Sequence, residues 1–300
     1  MVIVSAKRLV AAILTVIVAA ALFSATAQTI ELSAGSSSCT VDLDGARIVS
    51  FRHAGDEVLW NAVPRQKAAP DWAHGGLPVC WPRFGVDASG AIHGVAWRRT
   101  FRLLERRDES AMSLAVLGLS EGDARLELAI ALSDALSVEM RTTNAGTNEM
   151  FCSFGFHPYF RVAERSKTWV GGLDGLRFED DPSRPNPGRG VWKGPVRIEE
   201  SIDRIFRLPE GSRMAFPLHD ALRGRKVVVE CEGASHLNVW NPGAEKNCPG
   251  VVPGDEWRRF VCVEPVLMAA TDGSPVPIPP GGRRILKMTI RAEEGSGACR

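Results

Sequence analysis

Apolar and polar residues alternate with a period of two along short stretches of this chain, and Gly, Asp, Asn or Ser interrupts them about every ten residues. In Arg125-Leu126-Glu127-Leu128-Ala129-Ile130-Ala131-Leu132 the alternation puts Leu126, Leu128, Ile130 and Leu132 on one face of a strand. Comparable runs cover Thr100 to Glu105, Met112 to Leu119, Leu136 to Thr143, Lys226 to Cys231 and Arg284 to Arg291. Turn chemistry parts them, as at Ser120-Glu121-Gly122-Asp123 and Asn144-Ala145-Gly146-Thr147-Asn148. Beyond the N-terminal segment no stretch carries a 3.6-residue apolar period, so an all-β, antiparallel sandwich with little helix is expected.

The first residues follow different rules. Lys7 and Arg8 precede an apolar run of fifteen residues, Leu9 to Phe23, which ends in Ser24-Ala25-Thr26-Ala27-Gln28. A basic start, an apolar middle and a small-residue end are the parts of a secretory signal peptide, and the run falls short of the roughly 20 residues that cross a bilayer. The expectation is an exported protein (periplasmic or extracellular), with residues 1–27 the signal, 28–295 one domain, and 296–300 a frayed tail. After signal removal no stable membrane span is expected. Basic and acidic side chains nearly cancel, 36 against 35, leaving no electrostatic footprint for nucleic acid. The seven cysteines contain no C-x-x-C pair, which argues against structural zinc, and their odd number leaves at least one thiol free.

Two segments break the strand rhythm. Pro64 to Ala96 is rich in Pro, Gly and Trp and is assigned to a functional site; Arg177 to Gly194 is assigned to a surface loop covering or bordering it. The most distinctive local cluster is Phe154-Gly155-Phe156-His157-Pro158-Tyr159-Phe160, which holds the chain's only tyrosine. An imidazole in an aromatic wall titrates near neutrality and can act as a general acid. A partner base is offered by Phe260-Val261-Cys262-Val263-Glu264-Pro265, read as a buried strand that ends at Glu264, with acid and base on opposite sides of a small molecule. Taken alone, His157 also fits a satisfied core histidine and Glu264 a solvated strand-end carboxylate. In His74-Gly75-Gly76-Leu77-Pro78-Val79-Cys80-Trp81-Pro82-Arg83-Phe84-Gly85, the glycines allow backbone to approach a ligand, and Trp81 offers a ring face to sugar C–H groups or fills the core.

This segment, with Ile92-His93-Gly94-Val95-Ala96 after it, resembles the glucose-6-phosphate 1-epimerase (hexose-6-phosphate mutarotase) branch of the aldose 1-epimerase family. The resemblance continues through Phe156-His157-Pro158-Tyr159-Phe160, Ile202-Asp203-Arg204-Ile205-Phe206, Asn238-Val239-Trp240-Asn241-Pro242, Val261-Cys262-Val263-Glu264-Pro265 and Pro279-Pro280-Gly281-Gly282. It implies a galactose-mutarotase-like β-supersandwich holding a hexose or hexose phosphate, with no metal or organic cofactor; the chain is read as a monomer. It implies that His157 protonates the ring oxygen and Glu264 takes the anomeric hydroxyl proton. His93 then hydrogen-bonds the sugar and Asp203 binds ring hydroxyls, although an ion pair with Arg204 is an equally good reading of Asp203.

Two departures bear on the substrate. Where that branch has Arg-Gly-Gly this chain has His74-Gly75-Gly76, and where it has His-Gly-Phe-Ala-Arg this chain has His93-Gly94-Val95-Ala96-Trp97. The resemblance implies that those arginines grip the phosphate. Arg98 is displaced by one residue, which reverses the face of a strand, and Arg83 is the cation left to supply a charge from another direction. The expectation is a mutarotase that has left phosphate specificity behind. Two other classes remain: an exported carbohydrate-binding protein without catalysis, which would not need both His157 and Glu264, and a polysaccharide-cleaving enzyme, for which no added carboxylate pair is visible.

Overall fold

A computed structural model describes residues 29–61, 74–87, 89–183, 186–244 and 252–294. The proposed signal peptide, the first part of the Pro64 to Ala96 segment, Cys248, Cys299 and the C-terminal tail lie outside the described residues. Two large sheets form the body, and every pairing between their strands is antiparallel. Among the described residues helix is confined to the short 3-10 turns Ala96–Arg98, Arg165–Lys167 and Glu256–Arg259.

The nine-stranded sheet contains the strands expected from alternation. Ser113–Glu121, Ala124–Leu132, Leu136–Asn144, Arg225–Glu232 and Arg283–Glu294 are central, and Arg102–Asp108 lies at one edge. Leu126, Leu128, Ile130 and Leu132 are all buried, each worth about 1.5–3 kcal/mol on removal from water. Asn144 closes its turn by accepting the Gly146 amide at 2.9 Å, an Asx turn.

The eight-stranded sheet positions the cavity. Its neighbours run Arg189–Val191, Arg177–Asp180, Ile202–Arg207, His236–Asn241, Phe260–Leu267, Phe154–Phe156 and Val79–Cys80, with Tyr159–Arg161 also on Phe260–Leu267. One face belongs to the core: Phe206, Leu237, Val239, Val261 and Val263 join the strand leucines of the other sheet in one hydrophobic cluster. Period-two alternation therefore turns Asp203, Asn238, Trp240 and Glu264 to the opposite face.

Two expectations are corrected. Residues 177–194 are not simply a loop, because Arg177–Asp180 and Arg189–Val191 form an edge hairpin of this sheet. Nor does the strand end at Glu264; it continues through Pro265 to Leu267. Phe154–Phe156 and Tyr159–Arg161 share one register on it, with Gly155 opposite Val266 and Tyr159 opposite Cys262. That shared register puts Pro265 opposite Phe156, the last residue of the first of those strands, and the link that carries His157 opposite Val263 and Glu264.

Candidate active site

Glu264 is fully buried near the middle of the sheet, and His157, on the link between two strands, is 5% exposed. His157 Nε2 lies 3.5 Å from Glu264 Oε1. They stand side by side, not on opposite sides of a ligand. That suits ring opening, because the ring oxygen and the anomeric oxygen of a sugar are both bonded to C1.

Both groups line a cavity of about 490 Å³, together with His74, His93, Asp203, Asn238, Trp240 and Tyr159. That volume lies in the range of small-ligand sites. Aromatic packing sets the imidazole: His157 stacks on Tyr159 at 4.8 Å and meets His93 and Trp240 edge-on at 5.3 and 5.5 Å. Tyr159 is fixed in turn by a 2.8 Å hydrogen bond between its hydroxyl and His74 Nδ1.

His93 sits in the left-handed region at φ 55°, a strained conformation for a residue with a Cβ. A mutual clamp holds it there. The His93 amide donates to the Gly85 carbonyl at 2.8 Å, and the Gly85 amide donates to His93 Nδ1 at 3.2 Å. An accepting Nδ1 leaves the proton on Nε2, so His93 is a donor at its other nitrogen.

Burial pushes Glu264 well above the ordinary carboxylate range, Asp203 adds to the shift, and the Asn238 side chain opposes it. Burial likewise holds His157 well below its usual value, with smaller contributions from His93 and His74. His93 is lowered to about 3 by burial and by His74, and burial lowers His74 to about 4. Neither Glu264 oxygen makes a hydrogen bond of good geometry, so a buried carboxyl faces the cavity with acceptor capacity to spare. Burial thus favours the His157–Glu264 pair with a single proton, one donor and one acceptor.

Cys262 brings its sulfur into the same neighbourhood, and ligand atoms of His157, Cys262 and Glu264 lie within 4.8 Å of one another. Burial, followed by the charge of Glu264, raises the Cys262 thiol well above its usual value. A metal here would have to displace a firmly held thiol proton, so this donor set suits proton transfer better than a resident ion.

The structure brings His74, His93, His157, Asp203 and Glu264 to one cavity and leaves Trp81 and Arg83 outside its lining. Trp81 is a core residue whose indole donates to Thr142 Oγ1 at 3.0 Å. Arg83 acts electrostatically on Asp87 and Asp272, holding both down after their nearer serine bonds. Arg204 leaves Asp203 for the other face, where Nε and Nη2 reach Asp180 at 2.6 and 2.9 Å. Trp97 donates to the carbonyls of Ile92 and Gly94 at 3.1 Å and carries Arg98 over its ring, so it closes the His93 loop. The glycines serve backbone packing: a Cβ on Gly76 would stand 2.3 Å from the Ile48 carbonyl oxygen, and one on Gly94 2.5 Å from that of Trp81. Sequence reasoning missed Asn238, although its two-residue spacing from Trp240 signalled a shared face. It also missed Asp181 and Asp272, which line the cavity from loops without a pattern.

A deep cavity on an antiparallel sandwich, floored by a proton-sharing pair and walled by aromatic rings, defines an enzyme that moves protons on a small polar molecule. The chain belongs to the aldose 1-epimerase family, whose model matches residues 28–270. A provisionally named glucose-6-phosphate 1-epimerase of Salmonella typhimurium is 29% identical over 243 residues, covering 76% of this chain and 79% of that protein. One of the same name from Cenchrus ciliaris is 27% identical over 270 residues, covering 82% and 79%. Among solved structures, a provisionally titled mutarotase from Salmonella typhimurium superposes with a TM-score of 0.77 at 25% identity, covering 89% of this chain and 90% of that one. The expected galactose-mutarotase-like fold is the one observed, and the protein is an isomerase of the hexose mutarotase type.

Proposed function

We propose that the protein interconverts the α and β anomers of an unphosphorylated hexose, with His157 and Glu264 exchanging protons across C1. The observation that carries this is the cavity's charge: among the described residues it has no lysine or arginine in its lining, while Asp181, Asp203 and Asp272 all contribute to it. A phosphate dianion would meet carboxylates where it needs cations. His74, at the first of the two departures from the arginine pattern, is held neutral by burial and is engaged with Tyr159.

The mechanism follows from the shared proton. One member of the pair donates to the ring oxygen as the other accepts the anomeric hydroxyl proton, and C1 opens to an aldehyde. Rotation about C1–C2 presents the other carbonyl face. Reclosure with the two roles exchanged yields the other anomer and restores the pair. Each proton-transfer group contributes about 10²–10⁴-fold. His93 supplies a donor to a sugar oxygen, Asp203 and Asn238 bind ring hydroxyls, and Trp240 offers its ring to C–H faces.

Export fits the same reading. Lys7, Arg8 and the apolar run to Phe23 support a signal peptide, and a protein outside the cytoplasm meets free sugars and polymer ends more than hexose phosphates. Anomer exchange measured by NMR on glucose, galactose and glucose 6-phosphate tests the proposal. A higher kcat/KM for a free hexose is expected; a preference of tenfold or more for the phosphate would overturn it.

A further inference from the structure

Beyond the reacting pair, the sheet face that carries it becomes basic. Arg177, Arg207 and His236 lie directly opposite one another on three neighbouring strands. They continue the alternation of Asp203 and Ile205 on one strand and of Asn238 and Trp240 on the next, so they belong to the cavity's face of the sheet. Along the strands they are one same-face step, about 7 Å, from the row that contains Ile205, Asn238 and Glu264. The row borders a second hollow of about 320 Å³, and Ile205 and Thr271 line both this hollow and the catalytic cavity.

We propose that Arg177, Arg207 and His236 form an anion subsite, one step along the sheet from the catalytic pair, that takes the carboxylate of an acidic sugar unit joined to the reacting hexose. This rests on the epimerase reading and names its substrate class: the reducing end of an acidic disaccharide or longer chain.

The physical case begins with the arginines themselves. Like charges directly opposite on adjacent strands destabilise a sheet, yet neither Arg177 nor Arg207 has a carboxylate in ion-pair contact among the described residues. Both are exposed, whereas His236 is 3% exposed and is held at Nδ1 by Ser235 Oγ at 2.9 Å. Two guanidinium forks at the mouth of a hollow, with a buried imidazole behind them, match a carboxylate. A phosphate on the reacting ring is the poorer occupant. The catalytic cavity is lined by Asp181, Asp203 and Asp272 with no lysine or arginine among the described residues, whereas the hollow sets one carboxylate, Glu179, against two arginines. An anion carried on the next sugar unit reaches past the carboxylates to the arginines.

The test compares cellobiouronic acid, a glucuronic acid unit β-1,4-linked to glucose, with cellobiose. Anomer exchange at the reducing glucose is followed by NMR for the wild type, Arg207→Gln, Arg207→Lys and the double variant Arg177→Gln/Arg207→Gln. The wild type is expected to favour the acidic disaccharide by about tenfold in kcat/KM, the double variant to bring the ratio close to one, and Arg207→Lys to recover part of it. Melting temperatures identify any variant that fails to fold, and the preference of the wild type stands as a measurement without them. Equal rates for the two disaccharides in the wild type, or a preference that survives the double substitution, would overturn the proposal. So would a double substitution that instead weakened turnover of glucose 6-phosphate. Titration of the Glu264→Gln protein with both disaccharides reads binding without turnover. Arginine-dependent binding in a protein whose wild type turns over no sugar would reject the epimerase reading while retaining the anion subsite.

Discussion

At the scale of single residues, the proposed chemistry depends on a proton that two buried groups share. Burial raises Glu264 and lowers His157, so the singly protonated pair persists over a wide pH interval. Activity should therefore trace a broad bell. It falls on the acid side as His157 takes up a second proton, below the ordinary histidine range. It falls on the alkaline side as Glu264 loses its proton, above the ordinary carboxylate range. A pH profile of kcat/KM checks this, and an alkaline limb near the unperturbed carboxylate value of about 4.3 would contradict it. Residue types at this scale were readable from sequence because each sits in a compact motif: His157 among aromatics, Glu264 in a buried run. The turn of Arg204 away from Asp203, the burial of Trp81 and the absence of Arg83 from the cavity lining were not. Each depends on which face a side chain takes in a strand or loop whose register only the folded sheet fixes.

At the scale of elements, the alternation in the nine-stranded sheet was legible because its leucines have one buried face. The strand Phe260–Leu267 was harder to delimit. It is buried on both faces, so alternation sets no limit to it, and Pro265 looks like a terminus although the strand runs on to Leu267. The loops that close the cavity depend on backbone packing, which glycine permits. Gly76 has φ 69°, and a Cβ there would stand 2.3 Å from the Ile48 carbonyl oxygen. Gly76→Ala should cost at least about 2 kcal/mol in urea denaturation and raise KM for sugar, because His74 precedes it by two residues. An unchanged denaturation midpoint would show that the Ile48 contact does not constrain this turn.

At the scale of the whole molecule, two sheets share one core, and the second turns its other face to the ligand. The resemblance carried by six motifs conveyed the architecture, but not the change in charge along the ligand face, since that arises only when Asp203 and Arg207 are aligned with their neighbours across the sheet. The proposed export has a direct check at this scale: mass spectrometry of the protein recovered from outside the cytoplasm should give an N-terminus at Gln28, and retention of Met1 would refute processing there. The central claim is that His157 and Glu264 turn this sandwich into a mutarotase. The most direct test is NMR exchange between the glucose anomers by wild type and Glu264→Gln, with glucose binding to each measured in parallel. Glu264→Gln should lose about 10²–10⁴-fold in kcat while glucose affinity stays within a few-fold. Full turnover in that variant, or a wild type that binds glucose and leaves its anomers unchanged, would contradict the assignment.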